Sequence, residues 1–123
     1  MNRLAQRPGD PALDRDTLRS LSRALDDDGF TRQFAGRYRE LLPARLGRIS
    51  RSLQGHDVDL VLDAVLSLKV SSATVGAQEL AELAGVIEGE VRIFDLPAAR
   101  TAAASLAPAA LRADAALAAY LIL

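Results

Sequence analysis

Hydrophobic residues recur every three or four positions along most of this chain, which is the spacing of amphipathic helices. A first short helix is predicted from a cap at Asp14 or Asp16 to the aspartate-rich run at 26–29. A second helix begins after Asp28. Because its apolar positions change face near Pro43, we expect one long helix that is kinked at this proline. Its expected inward residues are Phe30, Phe34, Leu41, Leu42, Leu46, Ile49 and Leu53.

The second half of the chain predicts three further helical segments. A third helix is expected over 58–73, followed by a tight break at 74–76 and a fourth helix whose glutamates face outward. An alanine-rich fifth segment follows Pro97, and we expect Pro108 to kink or break it. The inward residues expected for the third helix are Val61, Val65, Leu68 and Ser72.

Short connections make consecutive helices antiparallel, so the predicted fold is all-α: an up-down antiparallel four-helix bundle with a short additional N-terminal helix. The 123 residues fit a single domain with one core. Residues 1–12 lack hydrophobic periodicity and are expected to form a loose lead-in to a domain that covers 13–123.

Composition excludes several classes of function. Apolar residues make up 50% of the chain and the net charge is −1, which fits neither a disordered segment nor a strongly basic nucleic-acid binder. With no cysteine and one histidine, thiolate zinc sites, disulfides and imidazole clusters are excluded, so no metal or cofactor is predicted. No apolar stretch approaches the length of a membrane span, and we expect a cytoplasmic protein without membrane contact.

The third helix carries apolar residues on the side expected to face water. At about 100° per residue, Asp59, Asp63, Leu66 and Val70 stack opposite the core positions. Leu66 and Val70 are one turn apart and form an apolar patch beside two carboxylates. Two interpretations stay open: another part of the chain covers this patch, or the patch is a docking surface.

The run at 65–77, VLSLKVSSATVGA, resembles the signature of histidine phosphotransfer (HPt) domains, A-H-[ST]-L-K-G-S-[SA]-x-x-[LV]-G-A. The next helix is similar to the family pattern L-x-x-L-x-x-x-x-E, and the resemblance covers roughly residues 13–122. It implies a helical bundle that acts in two-component phosphorelay signalling. The matching residues are Leu68, Lys69, Ser71, Ser72, Gly76, Ala77, Leu80, Leu83 and Glu88, and Lys69 is the only lysine of the chain.

Two departures from the signature remove the family's chemistry. Leu66 stands where the family has its phosphoacceptor histidine, and Val70 stands where it has a small glycine. An aliphatic side chain has no lone pair with which to accept a phosphoryl group. His56 lies ten residues before Leu66, about 15 Å away at helical rise, and is expected to be an exposed turn residue. The resemblance therefore implies a degenerate, non-phosphorylatable HPt-like binding module and not an enzyme.

The partner implied by the resemblance is a response-regulator receiver domain or a histidine kinase. The arginines of the second helix scatter in angle and lack interleaved aromatic residues, so we expect them to steer an acidic protein partner and not to bind nucleic acid. The residues expected to bind the partner are Leu66, Val70, Lys69, Asp63, Ser67, Ala73, Arg45 and Arg48.

An alternative of another class also follows from the patch. A two-fold interface can pair Leu66 and Val70 of one chain with the same residues of a second chain. The protein would then be a structural, homodimerising helical bundle. The expected oligomeric state is a monomer or a weak homodimer.

Overall fold

The computed structural model describes residues 11–122, and in this range the fold is all-α, without a β-strand. The prediction of an all-α bundle is confirmed. Six helices occur in the described range: α1 (Arg15–Leu25), α2 (Asp28–Gln54), α3 (Val58–Val75), α4 (Gln78–Arg92), α5 (Leu96–Ala103) and α6 (Leu106–Leu121). None of them is both long and apolar enough to span a membrane.

Aspartate side chains begin four of these helices. The carboxylates of Asp14, Asp27, Asp57 and Asp95 accept backbone N–H groups of the first turns of α1, α2, α3 and α5. Each cap satisfies an N–H group that has no partner within the helix and is worth about 1 kcal/mol. Of the two caps predicted for α1, the structure has Asp14, and the aspartates thus fix where these four helices begin.

Four helices form the bundle, in the order α2, α3, α4 and α6, and each packs against the next. The pair α3 and α4 has the most extensive contact, α1 lies against α2 and α3, and α5 lies against α4 and α2. The core runs along the bundle axis, and its largest fully buried side chains include Leu18, Ile49, Leu68, Leu80, Ile87 and Leu117.

The long second helix differs from the prediction in its buried face. The helix is uninterrupted through Pro43, as expected, but its inward side does not change there. Phe30 was expected in the core and is 49% exposed, so this part of the prediction was wrong. The reason is that the small or polar residues Thr31, Ala35 and Tyr38 continue the inward stripe that leucines and an isoleucine form after Pro43. This continuation is not visible when only large apolar residues are counted. The buried residues of α2 are Thr31, Ala35, Tyr38, Leu42, Ile49 and Leu53.

The C-terminal segment consists of two helices. The chain leaves helical structure at 104–105, between α5 and α6, and Pro108 lies in the first turn of α6. A proline is tolerated there because the N–H groups of a first turn have no helical acceptor. The break expected at Pro108 therefore occurs three residues earlier.

The first residues of the described range pack against the turn between α3 and α4. Ala12 and Leu13 are buried, and the carbonyl of Pro11 accepts the N–H of Glu79 at 2.9 Å. The N–H of Asp14 donates to the carbonyl of Gly76 at 2.7 Å. Pro11 and Ala12, the last two residues of the predicted lead-in, therefore take part in this packing. Residues 1–10 of the lead-in lie outside the described range.

Candidate functional site

The outer side of α3 exposes a mixed apolar and polar surface. Val70 is 64% exposed and Leu60 is 54% exposed, while Leu66 is half-buried. The apolar patch expected from Leu66 and Val70 is therefore open at Val70 and partly covered at Leu66. We term this surface the α3 face; it consists of Leu60, Asp63, Leu66, Ser67, Val70, Ala73 and Thr74.

Leu66 is half-buried because it lies on the side of α3 that turns toward α4. Lys69, three residues later and about 60° around the helix, reaches Glu88 of α4, whereas Val70 lies about 40° in the opposite direction. Since α3 packs most extensively against α4, the side nearer α4 is the more covered one. Leu60 was not among the residues predicted for this surface. It lies about 110° from the mean direction of the inward stripe, and no motif or neighbouring residue marks it as exposed.

Lys69 is held by a carboxylate of the neighbouring helix. Its Nζ donates to Oε1 of Glu88 at 2.8 Å, and Nε of Arg92 donates to Oε2 of the same residue at 2.9 Å. The hydrogen bond from Lys69, and then that from Arg92, lowers the pKa of Glu88 below its ordinary value of 4.5. Lys69 and Glu88, which are 19 positions apart and both match the family pattern, thus join α3 to α4. The ammonium group of Lys69 is paired and does not stand alone on the surface.

Arginines of α2 lie along the opposite edge of the α3 face. Arg48 forms an ion pair with Asp63, and the guanidinium of Arg45 lies 5.9 Å from the ring centroid of Tyr38. Tyr38 is buried, and its hydroxyl shares a 2.7 Å hydrogen bond with the hydroxyl of Ser72. Burial raises the pKa of Tyr38 above 10.0. Arg48 thus reaches α3 through Asp63, and Arg45 lies over Tyr38, whose hydroxyl contacts α3; neither contact was predicted from the sequence.

The remaining predicted residues mark the middle and the C-terminal end of the α3 face. Ser67 and Ala73 are exposed. Ala73 also borders a shallow cleft whose other walls come from α1, the turn at Gly76 and the first turns of α4. All eight residues predicted to bind a partner thus lie on the α3 face or along its two edges.

The α3 face offers apolar and charged contacts and no activated nucleophile. The hydroxyl of Ser71 donates to the carbonyl of Ser67 at 2.8 Å, and that of Thr74 donates to the carbonyl of Val70 at 2.8 Å. His56 is exposed in the loop between α2 and α3. Within residues 11–122 no group of three histidine, cysteine, aspartate or glutamate side chains is placed to hold a metal ion.

No protein-family model, curated protein or solved structure matches this chain.

Proposed function

We propose that this protein is an HPt-like binding module of phosphorelay signalling, which docks a response-regulator receiver domain through the α3 face and accepts no phosphoryl group. The observation that carries the proposal is the exposure of Val70 on the turn after Leu66. An apolar side chain at the signature's glycine position fills the space beside the lost phosphoacceptor and offers contact area to a partner.

The hydrophobic contribution of this contact supplies part of the binding free energy of a transient complex. Complete burial of a valine or leucine side chain contributes about 1.5–3 kcal/mol, and a micromolar complex requires about 8 kcal/mol in total. Val70 and Leu60 are both more than half exposed and therefore keep most of this energy available for binding. The half-buried Leu66 contributes a smaller additional area.

The arginines of α2 that border the α3 face are proposed to steer an acidic partner. Arg45 and Arg48 lie along its α2 edge, and Arg48 is paired there with Asp63. The resemblance implies a receiver domain with an acidic pocket, which these arginines would attract during encounter. Such steering raises the association rate and decreases with added salt.

The proposal is tested by binding of purified receiver domains encoded in the same genome. We expect one of them to bind with a dissociation constant in the micromolar range, and Val70→Asp to weaken this binding about tenfold or more. Val86→Asp is the matched control, because Val86 is 52% exposed on α4. It lies about 160° around that helix from Glu88, and so points away from α3.

Two results would contradict the proposal. One is that no receiver domain binds the wild-type protein at about 100 µM, well above a micromolar dissociation constant. The other is that Val86→Asp weakens binding as much as Val70→Asp. The same titration with the phosphoacceptor domains of histidine kinases separates the two partner classes that the resemblance implies.

A further inference from the structure

A second apolar surface lies between α2 and the α5–α6 segment. Two neighbouring cavities of about 490 Å³ and about 580 Å³ share Leu46 and Ala107 as lining residues and lie end to end along one seam, which we describe together as a groove. Along α2 it extends from Arg39 to Gln54, about 22 Å at 1.5 Å per residue. We term it the α2–α6 groove.

The groove exists because alanines face leucines across this seam of the bundle. Ala103, Ala107 and Ala110 are too short to fill the space beside Leu46 and the neighbouring leucines of α2. Leu111 stands on the rim, 74% exposed, one turn after Ala107. An open apolar groove beside an exposed leucine is typical of an interaction surface.

The two ends of the groove carry opposite charge. In one half the charged lining residue is Arg100, whose Nε donates to the carbonyl of Leu53 at 2.9 Å. In the other half the charged lining residues are Arg39, Glu40 and Asp114, with a sum of −1. Asp114 is paired with Arg39. Glu40 is paired with Arg37 from outside the groove, but both of these side chains are about two-thirds exposed, so this pair is weak and its carboxylate can take a new partner.

We infer that the α2–α6 groove binds a second copy of this chain in a weak two-fold dimer. A two-fold axis near Ala107 sets the two grooves antiparallel, so that the Arg100 half of each copy faces the Glu40 and Asp114 half of the other. The same rotation carries Leu111 to the far side of Ala107, over the cavity beside Leu53 in the other copy. One surface thus supplies both the projecting leucine and its cavity, which is the requirement of an isologous interface.

This interface is separate from the α3 face. In the ring of four helices, α3 and α6 are diagonal, since α2 and α4 each pack between them. Val70 and Leu111 are therefore controls for each other: both are exposed apolar residues on helices, and each lies on one of the two surfaces. The dimer and the receiver proposal can succeed or fail independently.

Sedimentation equilibrium tests the dimer over about 5 to about 500 µM, a range that covers the dissociation constants of weak complexes. We expect the mass of the wild-type protein to rise from 13.1 kDa toward twice that value. Val70→Asp should behave like the wild type, while Leu111→Asp should remain monomeric. A wild-type protein that stays monomeric throughout overturns the inference. So does a Leu111→Asp variant that still dimerises, or a dimer that depends on Val70.

Disulfide formation tests the two-fold arrangement, because the chain has no cysteine of its own. Ala107 is exposed close to the inferred axis, so Ala107→Cys should form disulfide-linked dimers about tenfold faster than Ala73→Cys, which replaces an exposed alanine of α3. Equal rates for the two variants, or faster linkage through position 73, would overturn the arrangement.

Discussion

Gly76 ends α3 with a φ of 84° and lies against the start of α1. A Cβ atom at this position would lie 2.5 Å from the carbonyl oxygen of Asp14. The left-handed backbone costs an L-residue about 1–2 kcal/mol, and the clash adds to this cost, so we expect Gly76→Ala to lower the free energy of unfolding by about 2 kcal/mol or more. Urea denaturation measures the difference.

Gly85 of α4 provides the control for this substitution. Nothing lies within 4 Å of a Cβ atom placed there. Gly85→Ala is therefore expected to raise the free energy of unfolding by about 0.5–1 kcal/mol through helix propensity alone. Equal effects of the two substitutions would contradict the close approach of Gly76 to α1.

Individual residues were predictable from sequence where local structure decides their position. The exposure of Val70 follows from its place opposite the inward stripe of α3. The sequence narrows the cap of α1 to Asp14 or Asp16, and the structure has Asp14. The half-burial of Leu66 was not predictable, because it depends on how closely α4 approaches α3. The partner of Lys69 was missed for the same reason.

At the scale of helices, a buried hydrogen bond joins α2 to α3. The hydroxyls of Tyr38 and Ser72 are 2.7 Å apart in the core. Tyr38→Phe leaves the hydroxyl of Ser72 without this partner, and we expect a loss of about 1–2 kcal/mol in the free energy of unfolding. Adding Ser72→Ala should restore part of that loss. Strictly additive effects in urea denaturation would show that the two hydroxyls do not interact.

The contact between α3 and α4 should depend on pH through Glu88. The pKa of Glu88 is lowered in the folded protein, so its contribution to stability is complete above its ordinary pKa of 4.5 and is lost as pH falls through the lower folded value. The partners Lys69 and Arg92 are about half exposed, which limits the contribution to about 1 kcal/mol or less. Glu88→Gln should therefore destabilise the protein at neutral pH and have less effect near pH 3.

Urea denaturation of the wild type and of Glu88→Gln at both pH values measures this dependence. Lys69→Gln is the companion variant, because it removes the main cause of the lowered pKa of Glu88. In the Lys69→Gln background, the effect of Glu88→Gln on stability should differ less between the two pH values. A difference between wild type and Glu88→Gln that is the same at both pH values would contradict the assignment.

Helix boundaries were more predictable than helix faces. The capping aspartates and Gly76 carry local signals, and they mark the ends of α1, α2 and α3 closely. The inward face of α2 was misassigned because Thr31 and Tyr38 are polar residues that this core accommodates. The break between α5 and α6 occurs in an alanine-rich stretch without a glycine or proline at the break itself.

At the scale of the whole molecule, short connections and hydrophobic periodicity were sufficient to predict the bundle. They were not sufficient to predict its open surfaces. The α2–α6 groove results from the small size of alanines across a helix seam, and the α3 face results from the position of α3 between α2 and α4. The two proposed interactions, with a signalling partner and with a second copy, use surfaces on diagonal helices of the bundle.

The central claim is that the α3 face docks a receiver domain as an HPt domain does, without its phosphoacceptor. Phosphoryl transfer to the double variant Leu66→His, Val70→Gly tests it most directly, because transfer requires the receiver's aspartyl phosphate to approach position 66 within reacting distance. With a receiver domain that binds both proteins, the account predicts that the double variant becomes phosphorylated and the wild type does not. A bound, phosphorylated receiver that labels neither protein, or labels the wild type equally, would contradict it.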